Sequence, residues 1–311
     1  MSDLGYVIAS FVARTLPRSW ADRLADTLGD VYSWTHPNRS RAMTRRLRRL
    51  WTGDRATPPP TARETHRAFA RAVVDFLISA PGSNATPKVR LDDEARQILH
   101  EVRASGRSTV LVSGHFGPWE VALQWLAREL ETPVDALARA HRSRRVERFF
   151  ASRRAAFGVG TLSEGYPART ALRRLRAGGW IAALVDRGAR AARCRVTSVG
   201  VGDAATPGSG ETESGQDRGI VPVDRAPLLL ARRASAQVLA GVSWRAPDGA
   251  VEIRFHPAFS LEPRRGGLGL QQAEALLQRF FDAHVRAHPT QWFDWAAGPP
   301  TAREGGDAAR G

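Results

Sequence analysis

Two spacings of apolar residues alternate along most of this chain. Residues 94–102, 116–130, 144–157, 167–176 and 271–286 carry an apolar residue at every third or fourth position, the period of a helix face. Between them lie short runs with little polarity on either side: TVLVSGH (109–115), VDALAR (134–139), WIAALVDR (180–187), QVLAGVSWR (237–245) and AVEIRFHPAF (250–259). Runs of that length, rich in β-branched and small apolar residues, suit strands covered on both faces. The last two are joined through Asp248-Gly249, a hairpin turn signal. Strands alternating with helices predict an α/β fold with a mostly parallel sheet flanked by helices.

The first 85 residues differ: they predict a basic helical region with no strand period. Residues 4–13, LGYVIASFVA, are apolar but too few to cross a bilayer, and their flanks are the reverse of a secretory signal. After Pro17, residues 20–34 show a helical pattern (Leu24, Leu28, Val31, Tyr32). In residues 39–55, Met43, Leu47, Leu50 and Trp51 fall on one helical face and arginines take much of the rest. Such a helix suits a lipid headgroup interface, and it equally suits core packing with a solvated basic face. A TPPPT connector (57–61) precedes a further helix with Phe69, Val73, Val74, Phe76 and Leu77, ended by Pro81-Gly82. The expected division is therefore a helical, membrane-associating region over 1–85, an α/β domain over 86–295 with a flexible Gly- and Ser-rich insertion at 190–220, and a disordered tail at 296–311.

Charge sharpens this outline. There are 46 Lys+Arg against 31 Asp+Glu in 311 residues, a net +15, and Lys88 is the one lysine. The excess calls for a polyanionic partner: an anionic membrane surface, an acidic protein or nucleic acid. Nucleic acid is disfavoured, because no zinc finger, aromatic RNA-binding motif or dimeric basic region accompanies the arginines. The charge concentrates in the helix at 39–55 and in seven arginines from Arg139 to Arg154. A single cysteine, Cys194, excludes a disulfide framework.

Strand exits are where ligands sit in parallel sheets, and two exits carry chemistry. In SGHFGPWE (113–120), His115 ends a strand and Glu120 follows five residues later. Gly117-Pro118 can break helical regularity and fold Glu120 back to the imidazole, where a carboxylate would fix the tautomer and raise the basicity of the other nitrogen. The result is a general base for a hydroxyl or amine. The second exit is Asp186-Arg187. No G-x-S-x-G elbow, phosphate-binding loop or dinucleotide fingerprint is present, and His115 with Glu120 lacks the further ligands that a metal site requires.

The string GHFGPWE resembles the first block of the lipid A late acyltransferases, within the lysophospholipid acyltransferase superfamily, whose signature is His-x4-Asp/Glu. Residues 134–159, 169–187 and 287–295 (AHPTQWFDW) are similar to later blocks of that family in the same order. The resemblance implies transfer of a fatty acyl group from an acyl carrier protein or coenzyme A thioester to a hydroxyl of a membrane glycolipid. It places the enzyme at the cytoplasmic face of a bacterial inner membrane, peripheral or monotopic, with no cofactor and no metal. It casts His115 as general base, Glu120 as its orienting partner and Asp186 as an accessory acid. Arg139, with Arg142, Arg153, Arg154 and Arg187, would bind acceptor phosphate or donor. Related acceptors, a mannosylated phosphatidylinositol or a lysophospholipid, fit the same motifs, as does an inactive lipid-binding relative. Trp292 and Trp295 read as packing anchors.

Overall fold

A computed structural model describes residues 15–51, 58–138, 143–163, 167–186 and 220–293. The expected insertion up to residue 219, the tail, and the apolar run at 4–13 lie outside the described residues.

Three helices open the described chain: α1 (Arg18–Thr35), α2 (Pro37–Leu50) and α3 (Ala62–Ile78). A capping box starts α3, with the Thr61 hydroxyl accepting from the Glu64 N–H and the Glu64 carboxylate accepting from the Thr61 N–H at 2.6 Å. Helices α1 and α3 are laced together by charge. Asp26 accepts both arms of Arg71, and Asp30 accepts both arms of Arg63 and Arg67, all at 2.5–2.6 Å. Gly29 permits the close approach, since a Cβ there would lie 2.7 Å from the Arg67 nitrogen. On α2, Leu47 is buried and Leu50 packs against the main core. Leu47 and Leu50 of the arginine-rich helix are thus turned inward, as core packing requires.

The rest is α/β. Its elements are β1 (Val89–Leu91), α4 (Asp93–Ala104), β2 (Thr109–Ser113), α5 (Trp119–Leu130), β3 (Val134–Leu137), α6 (Arg144–Ala155), β4 (Val159–Leu162), α7 (Pro167–Arg176), β5 (Trp180–Leu184), α8 (Ala226–Ala234), β6 (Gln237–Arg245), β7 (Val251–Phe259) and α9 (Leu270–Ala287), followed by a single 3-10 turn at Pro289–Gln291. The sheet order is β1-β7-β6-β2-β5-β3-β4. Neighbours from β6 to β4 are parallel, β7 turns back antiparallel on β6, and β1 follows β7. Apolar cores fill both faces, α7, α8 and α9 covering one and α4 and α5 the other.

The helical region is fastened to this sheet by buried charge. Asp75 on α3 is fully buried, paired with Arg18 and facing Arg245 at the end of β6. Arg245 also donates to Asp22 of α1 at 2.8 Å. Burial pushes the Asp75 carboxyl up, against the pull of Arg18 and Arg245.

Candidate active site

Strands β2 and β5 lie side by side at the centre of the sheet, in register Ser113 to Leu184. Each chain runs two residues further before it turns, so His115 and Asp186 emerge next to one another. The Val185 N–H donates to the Ser113 carbonyl at 2.8 Å, carrying the ladder to this point. The His115 backbone N–H then donates to Asp186 Oδ2 at 2.9 Å, and its Nδ1 lies 2.8 Å from Oδ1. Trp292 completes the set, its Nε1–H donating to Oδ2 at 3.0 Å.

Asp186 is fully buried. Burial alone would raise its pKa, but the His115 side chain, the His115 N–H and Trp292 together hold the carboxyl below its ordinary value. An ionised Asp186 requires the proton of a neutral imidazole to sit on Nδ1, leaving the lone pair on Nε2. Gly114 makes the packing possible: a Cβ there would fall 2.6 Å from the Phe116 ring and 3.1 Å from the Asp186 carboxyl carbon.

The turn that presents His115 is clamped from the other end of the chain. Phe116 bridges Trp292 in antiparallel fashion, the Phe293 N–H donates to the His115 carbonyl at 2.9 Å, and the Gly117 N–H donates to the Gln291 carbonyl at 2.7 Å. Gly117 sits at φ +49, and a Cβ there would strike the Ser243 carbonyl at 2.6 Å; both the conformation and the space demand glycine. Pro118 leads into α5, and the Trp119 ring meets the imidazole edge-on at 5.1 Å.

His115 faces a cavity of about 760 Å³ between the sheet and α5, within the size range of small-molecule sites. Its floor is apolar and made mostly of small side chains: Ala136 and Ala138 on and just beyond β3, Ala182 on β5, Gly241 on β6. Leu123 and Leu126 of α5 cover it, Ile253 and Phe255 of β7 stand at one side, and Phe69 of α3, Phe150 of α6 and Phe293 also line it. The ionisable side chains on the wall are His115, Glu120 and Arg154. Among the described residues, then, an imidazole whose Nδ1 is held by Asp186 opens onto a largely apolar chamber with one ion pair beside it.

That ion pair corrects the expected role of Glu120. Its carboxylate does not reach the imidazole, whose Nδ1 is occupied by Asp186. It accepts both arms of Arg154 instead, from Nε at 3.0 Å and from Nη2 at 2.5 Å. The carboxylate that meets the imidazole comes from the neighbouring strand, where the register of β2 with β5 sets Asp186 beside His115. Arg153 also departs from expectation. It points away from the cavity and donates to the Leu77 and Ser79 carbonyls at 2.8 and 3.1 Å, satisfying the end of α3. Trp292 is more than a packing anchor, since it donates to Asp186. Arg139, Arg142, Arg187 and Trp295 lie outside the described residues. The sequence signal marks the two residues singly, since His115 and Asp186 each stand at the exit of an apolar strand.

The family model described as bacterial lipid A biosynthesis acyltransferase matches residues 3–295. No curated protein matched the chain.

Proposed function

The chain belongs to the bacterial lipid A biosynthesis acyltransferase family and is an acyltransferase; on that premise we propose that it moves a fatty acyl group from a carrier-protein or coenzyme A thioester to a hydroxyl of a lipid A-type precursor, with His115 as general base. The observation that carries the reading is the His115–Asp186–Trp292 arrangement at the mouth of an apolar chamber. Asp186 holds the proton on Nδ1, so Nε2 takes the proton of the acceptor hydroxyl as its oxygen attacks the thioester carbonyl. Collapse of the tetrahedral intermediate breaks the carbon–sulfur bond, and the imidazolium returns the proton to the leaving thiolate. No acyl-enzyme is required. The small-residue floor suits a flexible methylene chain, which needs length and exclusion of water rather than polar partners.

Glu120 and Arg154 act as one unit in this reading. The carboxylate holds the guanidinium in place at the cavity wall, where it can meet a phosphate or a carbonyl of the substrates. Exposed Arg144, Arg145 and Arg148 on α6 lie along the same helix and suit an acidic carrier protein or a phosphorylated acceptor. The enzyme would work from the cytoplasmic face of the inner membrane as a peripheral protein. No helix of the described residues is long and apolar enough to cross a membrane.

The test is transfer from radiolabelled acyl-carrier-protein and acyl-CoA donors to detergent-dispersed lipid A precursor. His115→Ala should lower the rate by about a hundred- to ten-thousand-fold, the usual worth of a positioned general base. Undiminished transfer by a folded His115→Ala protein would sink the mechanism.

A further inference from the structure

Helix α1 separates its residues by chemistry. Ala21, Ala25 and Gly29 are buried, and the neighbouring row, Asp22, Asp26 and Asp30, is tied to arginines of α3 and β6. The opposite side carries Trp20, Leu24, Leu28, Val31 and Trp34, exposed at 58, 41, 55, 49 and 82%. At about 100° per residue, these five fall within about 120° of arc, with Thr27 and Thr35 between them and no charged residue inside it. Arg23 lies at one border, its guanidinium over the Trp20 ring at 5.7 Å.

Two features say what covers this face. The first is charge. Every acidic residue of α1 is turned inward and neutralised, while Arg39, Arg41, Arg45, Arg48 and Arg49 of the adjoining α2 are exposed. An apolar stripe edged by unneutralised arginine, with tryptophan near both ends, matches a bilayer interface that carries negative headgroups. The second is shape. From Trp20 to Trp34 the stripe runs about 21 Å along one helix at about 1.5 Å per residue, the long, narrow apolar face of a helix that lies in a membrane interface.

We propose that the outer face of α1 is the surface on which this protein lies against an anionic lipid bilayer, with the helix axis in the membrane plane. Helix α1 packs on α3, and Phe69 of α3 lines the cavity. Helix α1 itself and α3 thus stand between the docked face and the cavity. The arginine-rich helix that the sequence singles out supplies the charge, and its neighbour supplies the apolar contact. The inference rests on the acyl-transfer reading only for its purpose; the surface itself is argued from exposure and charge.

The experiment places an environment-sensitive fluorophore at Leu28→Cys in a Cys194→Ser background of the full chain. Vesicles of phosphatidylethanolamine and phosphatidylglycerol should shift its emission to the blue and protect it from iodide, and pure phosphatidylcholine should do so weakly. Leu24→Asn with Leu28→Asn should weaken vesicle partition about tenfold or more, from lost apolar contact, while transfer to detergent-dispersed acceptor stays at the wild-type rate. A probe that stays water-exposed while the protein sediments with vesicles overturns the proposal. So does a probe already shielded in lipid-free monomer, which assigns the stripe to the chain's own first 14 residues. A dimer seen by light scattering and lost in the double variant assigns it to a second copy. Absence of any transfer in detergent would count against the enzymatic reading alone, because the vesicle measurements are read without it.

Discussion

Replacing Asp186 by asparagine keeps the shape of the site and inverts one hydrogen bond. Oδ2 accepts two N–H groups, from His115 and Trp292, whereas Oδ1 faces only His115 Nδ1. An asparagine therefore settles with its carbonyl at the Oδ2 position and its amide NH₂ against Nδ1. Nδ1 must then accept, the ring proton moves to Nε2, and the lone pair that would take the acceptor's proton is gone. Restoring the reactive tautomer would forfeit a charge-assisted bond, about 1.5–3 kcal/mol, and leave two buried donors opposed, about 1–3 kcal/mol more. Together that is about 2.5–6 kcal/mol, or about two to four orders of magnitude in rate. Stability should fall little, about 1–2 kcal/mol, because the two N–H groups on the Oδ2 side stay satisfied. Single-turnover acyl transfer measures the rate, and long-range ¹⁵N–¹H correlation on histidine-labelled protein reads the tautomer of His115. If the folded variant keeps a tenth of the wild-type rate with Nε2 protonated, the role given to Asp186 is wrong.

Glu120→Gln should leave the His115 tautomer spectrum unchanged while loosening Arg154, so its loss should appear chiefly in KM for the acceptor; a change in the His115 spectrum would restore Glu120 as the orienting group. Gly241→Ala should bias the enzyme toward shorter acyl donors, since a Cβ at this position lies 3.1 Å from the Phe255 ring in the chamber; chain-length profiles by mass spectrometry of the product check it. Gly29→Ala should destabilise by about 1–3 kcal/mol through overpacking of α1 on α3, read as a lower urea midpoint. Stability should also fall in mild acid. Burial, aided by His36 for His66 and by His288 and Arg254 for His284, lowers the two rings to about 4 and about 3. A depressed histidine pKa means that the unfolded chain binds protons first. The stability they give is full above the unfolded value near 6.5 and drains as pH falls toward those folded values. His284→Phe should flatten that acid limb in thermal melts from pH 7 to 4, and an unchanged slope would show that other groups set it.

The parts of the fold that could be read from the chain were those that local chemistry dictates. β2 and β5 are apolar on both faces because both are covered, so TVLVS and WIAAL announce buried strands without any knowledge of neighbours. β1 and β4 are edge strands of three and four residues, partly exposed; VRL carries a charged residue and VGTL a glycine and threonine in place of a continuous apolar run, and neither is as buried as the similarly short β3. The same division governs the site. His115 and Asp186 could each be marked as an exit residue, but their pairing depends on which strands are neighbours, and β5 is inserted beside β2 only by the order of the whole sheet. A spacing argument confined to one segment could reach only Glu120, the nearest carboxylate along the chain.

The two amphipathic helices of the N-terminal region show the converse. Period alone tells that α1 and α2 each have an apolar side, and it cannot tell which side faces protein. On α2, Leu47 is covered because the helix packs on α3 and the closing 3-10 turn. On α1 the small row of Ala21, Ala25 and Gly29 takes the protein contact, since only small residues let the two helix backbones approach so closely. Once the small row is buried and the aspartates are committed to arginine, the large apolar row has only the outside left. A residue pattern of small, acidic and large rows on one helix therefore carries more information than its hydrophobic period. The small row marks the packed side, and the large row opposite marks a surface that awaits something apolar.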